Sequence, residues 1–141
     1  MPEFMVILLQ LLMVPGGWYA VHRFSIAREQ RSEWRKLALS LIPDIEKLEK
    51  QGLVYHKAQN RDPEAEEEII KNLERLAMKL GLISVQIKKL EINSFNNFSK
   101  AITYNNFQTA SFRCQDSTSP ILKGIMRCST QLIREIYLSL Q

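Results

Sequence analysis

Few side chains in this sequence of 141 residues could carry chemistry, and their spacing decides which chemistry is open to them. The histidines are His22 and His56, the cysteines Cys114 and Cys128. The densest carboxylate cluster is Glu64-Ala65-Glu66-Glu67-Glu68, with Glu74 beyond it. A metal site on helices needs glutamate paired with histidine or aspartate three or four positions on, converging with ligands from a second helix. Neither histidine stands in such a pattern, so no metal or cofactor is expected. The acidic run reads instead as a solvated first turn whose carboxylates complement the positive end of a helix. His56, in Val54-Tyr55-His56-Lys57, would need a neighbouring nucleophile or orienting carboxylate to act as a general base. It reads as a cation near a helix C-terminus, and His22 as an interfacial residue. Cys114 and Cys128 lack CxxC spacing and read as two small buried thiols in a reducing compartment. No Gly-rich phosphate loop, nucleophile elbow, HExxH or kinase signature occurs, and the expectation is a protein that is not an enzyme. Asn97-Phe98-Ser99 matches a glycosylation acceptor but is set aside, because the region is expected on the cytoplasmic side.

The stretch Arg23, Arg28, Arg31, Arg35, Lys36 is the stronger candidate. It carries five basic residues against Glu29 and Glu33, a surplus of three. Arg28, Arg31 and Arg35 are spaced i, i+3, i+7 and share one helical face. Each such charge near an anionic leaflet is worth about 1 kcal/mol, so these residues read as a membrane-surface or anionic-partner site. Nucleic acid is the weaker alternative. The net charge of +4 is mild, no recognised module is present, and the aromatic Trp34 is expected to pack inward.

What must position that stretch is the segment before it. Met1-Pro2-Glu3-Phe4 reads as a cloning-site remnant, which would start the native chain at Met5. From Met5 to Val21 the chain is uncharged, with Gln10 its one strongly polar side chain. Eight strong membrane formers favour insertion by about 2 to 5 kcal/mol, against which Gln10, Pro15, Gly16 and Gly17 count. Seventeen helical residues rise about 26 Å against a hydrocarbon core of about 30 Å. Trp18 and Tyr19 suit the headgroup layer, and the basic flank after them predicts an N-out, C-in topology. The expectation is a single-pass anchor over 5–22 in an inner or plasma membrane, with 23–141 as a cytoplasmic helical domain. A buried core element of a soluble domain and a cleaved or interfacial segment are the alternatives. Gln10 could hydrogen-bond between neighbouring anchors at about 1 kcal/mol per contact.

Beyond Phe24 the periodicity is helical throughout. One helix is expected over about 24–42, with Ala27, Trp34, Leu37 and Leu41 on one face. Pro43 then kinks it or opens the next helix, whose stripe Ile45, Leu48, Tyr55 runs to about residue 59. Asp62-Pro63 reads as an N-cap followed by a first-turn proline, and Ile69, Ile70, Leu73, Leu76, Ala77 and Leu80 form a core stripe up to Gly81. A helix over about 84–103 follows, with a bend or break at Asn93–Asn97. A loop over 104–120, pinned by Phe107 and Phe112, leads to a last helix over about 119–140. The fold expected is all-α, a transmembrane helix followed by a bundle of about four helices. Short anchor, basic flank and helical domain together resemble many small bacterial membrane proteins, some of which serve in phage defence, toxicity or envelope regulation. The function expected is a membrane-anchored, non-enzymatic interaction or effector protein whose partners are membrane lipid and a protein or a second copy. A soluble helical adaptor, or a nucleic-acid-binding protein using the basic face, is the alternative.

Overall fold

The computed structural model describes residues 3–87, 90 and 92–141, with side chains from Pro15 onward except that of Ile92. Every regular element among the described residues is an α-helix: α1 Glu3–Lys57, α2 Pro63–Gln86, α3 Ile92–Thr103 and α4 Pro120–Ser139. The chain divides into two units, residues 1–35 and residues 36–141.

Residues 36–141 form a four-helix bundle. Its core gathers Leu41, Ile45 and Leu48 of α1, Ile69, Leu76 and Ile83 of α2, Phe98 and Ile102 of α3, and Ile125, Leu132 and Ile136 of α4. Cross-helix bonds fix the directions. Asp44 meets Lys79 at 2.6 Å and Gln51 receives Asn72 at 3.0 Å, so α1 and α2 are antiparallel. Glu49 accepts from Ser129 of α4, and Ser94 of α3 donates to Glu135 of α4. Thus α1 and α3 run one way, and α2 and α4 the other. Where α1 crosses α3 and α4, Gly52 lets the backbones close up: a Cβ there would lie 3.3 Å from Ile102 Cγ1 and 3.6 Å from Ile125 Cδ1.

Local chemistry sets the helix starts. Asp62 accepts from the amides of Glu64 and Ala65, both at 3.1 Å, and Pro63 occupies the first helical position, where a missing N–H costs nothing. Ser119 and Pro120 repeat the arrangement at α4. Of the two readings of Pro43, the one long helix holds and the new start does not, because Leu41, Ile45 and Leu48, all essentially fully buried, hold both sides of it in one core. Two expected boundaries are corrected. Gly81 does not stop α2, which continues until Ile83 has entered the core. α2 ends at Gln86 and α3 begins at Ile92, and Asn93–Asn97 are helical despite their low propensity, because Phe98 and Ile102 anchor that turn. Ala27, expected inward, is exposed.

The N-terminal expectation is also corrected. Among the described residues no helix is long and apolar enough to cross a membrane, and the single-pass localisation with its N-out topology is withdrawn. The uncharged run ends in Pro15, Gly16, Gly17, Trp18 and Tyr19 and then meets His22 and Arg23. Those residues lower the apolar content that a membrane-crossing helix needs. The side chains of 5–14, Gln10 among them, lie outside the described residues.

Candidate functional site

In the unit 1–35, no described side chain from Pro15 to Glu33 is buried. Trp18 is 76% exposed, Phe24 75% and Tyr19 63%, with Val21 and Ile26 also in solvent. The Trp18 ring stacks on His22 one turn later, centroids 6.0 Å apart and planes 7° from parallel. At 100° per residue, Phe24, Arg28, Arg31 and Arg35 fall within a sector of about 60°, while Glu29 and Glu33 lie on the far side of the helix. Arg23 falls outside that sector. Lys36 opens the second unit and is exposed. Among the described residues no ion pair uses Arg28, Arg31 or Arg35. The three arginines and Phe24 therefore make a cationic face with one aromatic in it.

The bundle holds a second constellation, at the end where α1 and α3 finish and α2 and α4 begin. Two core stripes carry polar side chains into this end. The inward phase of α2 runs Glu66, Ile69, Leu73, Leu76, Leu80, Ile83, so Glu66 is buried with the apolar set. Its charge is met by Arg61, which donates from Nε and from an Nη at 2.7 and 2.8 Å, and by the Tyr55 hydroxyl at 2.5 Å. The Arg61 guanidinium, chiefly by hydrogen bonding, holds the Glu66 carboxyl below the usual carboxylate range. Burial, then the hydrogen bond and charge of Glu66, push the Tyr55 phenol up to about 12. The expectation of a wholly solvated acidic run is corrected at this position: Glu64, Glu67 and Glu68 are exposed, and Glu66 is not.

His56 is corrected in the same way. It is 0% exposed, a buried ring rather than the cation expected near the helix C-terminus. Nε2 lies 2.9 Å from the Ile102 carbonyl, so that nitrogen carries the proton, and Nδ1 lies 3.3 Å from Asn106 Nδ2, from which it accepts. Asn106 cannot be turned over. Its Nδ2 also donates to the Arg113 carbonyl at 2.8 Å while its Oδ1 accepts the Arg113 amide at 2.7 Å. Burial disfavours the charged ring and holds His56 below the ordinary histidine range.

These bonds clasp the segment 104–119. The His56 carbonyl accepts the Gln115 amide at 2.8 Å, and Cys114 Sγ donates to the Lys57 carbonyl at 3.1 Å. Phe107 and Phe112 close on Tyr55, with ring centroids 5.1 and 5.2 Å away. Asn106 and Gln108 adopt left-handed backbone at φ 56° and 51°. Asparagine tolerates that region, but for glutamine it stores strain of about 1 kcal/mol or more, which the clasp maintains. Cys114 and Cys128 are free thiols, and Cys114 is exposed rather than buried as expected. Among the described residues no group of three or more His, Cys, Asp or Glu side chains could hold a metal ion.

Sequence reading did not single out Tyr55, His56, Glu66 and Asn106 as partners. A signal for two of them was present: Glu66 and His56 sit in phase with the buried stripes of α2 and α1. The fold defines an all-helical bundle with a helical N-terminal unit, and the chain matches no family model, no curated protein and no solved structure.

Proposed function

We propose that this chain is a non-enzymatic helical interaction module that takes an acidic partner protein on the face formed by Phe24, Arg28, Arg31 and Arg35. The observation that carries the reading is the segregation of charge on a stretch of α1, Pro15 to Glu33, that buries none of its described side chains: three arginines and an aromatic on one side of this part of the helix, both glutamates on the other. An isolated helix gains little from propensity in water and is normally held by packing an apolar or charged face against something. Arginine forks bind carboxylates bidentately, and Phe24 supplies apolar area between them. A protein partner is favoured over nucleic acid because the face carries three cations and the sequence holds no recognised nucleic-acid-binding module.

The test uses the full chain and a synthetic helical peptide bearing glutamates at i, i+4 and i+7. Binding should weaken about tenfold in the triple variant R28E/R31E/R35E, as expected for losing surface pairs worth up to about 1 kcal/mol each. Phe24→Ala should weaken it by a smaller factor. Binding unaffected by the triple variant sinks the reading, and so does tighter, salt-dependent binding to a 20-base-pair DNA duplex through the same arginines.

A further inference from the structure

The second constellation has a property that does not depend on the unit 1–35. His56 is built to be neutral. Its Nε2–H is taken by the Ile102 carbonyl, and its Nδ1 must accept, because Asn106 is held by both polar groups of Arg113 with its NH2 toward the ring. A proton added at Nδ1 would face that NH2 donor to donor, in a site with no accessible water on the ring. Nor, among the described residues, does any anion compensate. On the His56 side of α1 stand Tyr55 and Lys57; Arg61 precedes α2 and Glu66 begins it; the clasped segment brings Arg113, Cys114 and Asp116. Glu66 is committed to Arg61 and Tyr55, and Asp116 to Thr118, whose amide and hydroxyl it accepts at 2.7 and 2.6 Å.

We propose that His56 is a pH-sensitive latch: when protonated in mildly acidic solution it releases the segment 104–119 from the end of α1 and uncovers Phe107 and Phe112. The Asn106 clamp is the part that must give, since it presents the donor that a protonated ring cannot accept. Releasing it frees Asn106 and Gln108 from left-handed backbone, which favours the open form. The Gln115 and Cys114 bonds to the last carbonyls of α1 follow. Leu122, Ile125 and Leu132 hold α4 in the bundle independently, so the release is local. The uncovered aromatic pair is a surface present only in acid.

Amide hydrogen exchange of the full chain, compared at pH 7.5 and 5.0 and corrected for the intrinsic pH dependence of exchange, tests this directly. Protection over 104–119 should fall more than tenfold, with a midpoint below 6.5, while 121–136 keeps its protection. Protection that persists at pH 5.0, or that disappears together with that of α4, overturns the proposal. His56→Gln retains a donor and an acceptor without titrating in this range, and should abolish the response. Asn106→Asp gives a second route should that variant fold poorly: a carboxylate facing Nδ1 should let the ring protonate in place. Its segment should then show no further loss on acidification, and a wild-type midpoint in this variant would refute the latch.

Discussion

Between Pro15 and Glu33, α1 buries no side chain, whereas between Lys36 and Lys57 it buries Ala38, Leu41, Ile45, Leu48, Gly52, Tyr55 and His56. Backbone and helical assignment are the same in both stretches, and each contains a proline in the helix interior. What differs is the company the side chains keep. In the second stretch a stripe at spacings of three and four meets three other helices; in the first, aromatic and basic residues have solvent around them. Helical structure is thus maintained for different reasons in the two stretches, and only in the bundle is the reason visible among the chain's own contacts.

The contrast is most exposed to failure at the core. Ile45→Ala should lower the free energy of unfolding by about 3 kcal/mol in urea titration, the usual cost of a large-to-small change in a packed interior. Phe24→Ala, with the larger deletion, should change it by no more than about 0.5 kcal/mol. Equal losses would mean that the stretch from Pro15 to Glu33 shares in the cooperative unit. Next in size is proline. Pro43 removes a backbone donor inside the bundled stretch, and Pro43→Ala should raise the unfolding midpoint by an amount equivalent to about 1 to 2 kcal/mol, after the more flexible unfolded chain is allowed for. Pro15→Ala should leave that midpoint in place and add only far-UV helical signal.

Acid should separate the two stretches further. His56 has a folded value below the ordinary 6.5, so between that folded value and 6.5 the unfolded chain binds more protons. The stability His56 contributes is complete above 6.5 and declines as pH falls below it. Glu66 is lowered from 4.5 by Arg61 and behaves alike one step further down: its contribution is complete above 4.5 and is lost as pH falls through the folded value. Tyr55, raised from 10.0 to about 12, has the opposite sense, so its contribution is complete below 10.0 and is lost as pH rises through about 12. Urea midpoints should therefore be flat from about pH 7 to 9 and fall on both sides. A midpoint that stays constant from pH 7 down to 5 would contradict the burial of His56.

The smallest effect expected is at glycine. Gly17→Ala meets nothing within 4 Å and should add helical signal, with a propensity gain of about 1 kcal/mol. Gly52→Ala has the same propensity gain but presses on Ile102 at 3.3 Å, so its net effect on the unfolding midpoint should lie within about 0.5 kcal/mol of zero. A clear stabilisation at Gly52 would show that α1 and α3 are less closely packed than the geometry states.

Much of the bundle was legible along the chain. Asp62-Pro63 announces α2 because an N-cap and a first-turn proline act within four residues of one another, and the stripe from Ile69 to Leu80 declares its inward face by period alone. Phe107 and Phe112 were readable as loop anchors, since two large apolar rings in a polar segment must be covered. The polar hub was not legible as a hub. His56 finds its partners at Ile102 and Asn106, 46 and 50 positions away, and no local pattern encodes such a meeting. Its neighbours in sequence, Val54 and Lys57, suggested a solvated helix end. Period would have placed both His56 and Glu66 inward, had phase been weighed above residue type.

By itself, then, the sequence determined the helical class, the start of α2, the loop before α4 and the common face of Arg28, Arg31 and Arg35. All of these follow from propensity, capping and a 3.6-residue period acting over a few residues. Only the tertiary structure decided that α1 runs unbroken through Pro43, that Gly81 leaves α2 intact, and that Glu66 and His56 are interior groups with named partners. Those outcomes depend on contacts between residues far apart in the chain, where packing outweighs local preference by several kcal/mol and turns an exposed ionisable residue into a buried, hydrogen-bonded one.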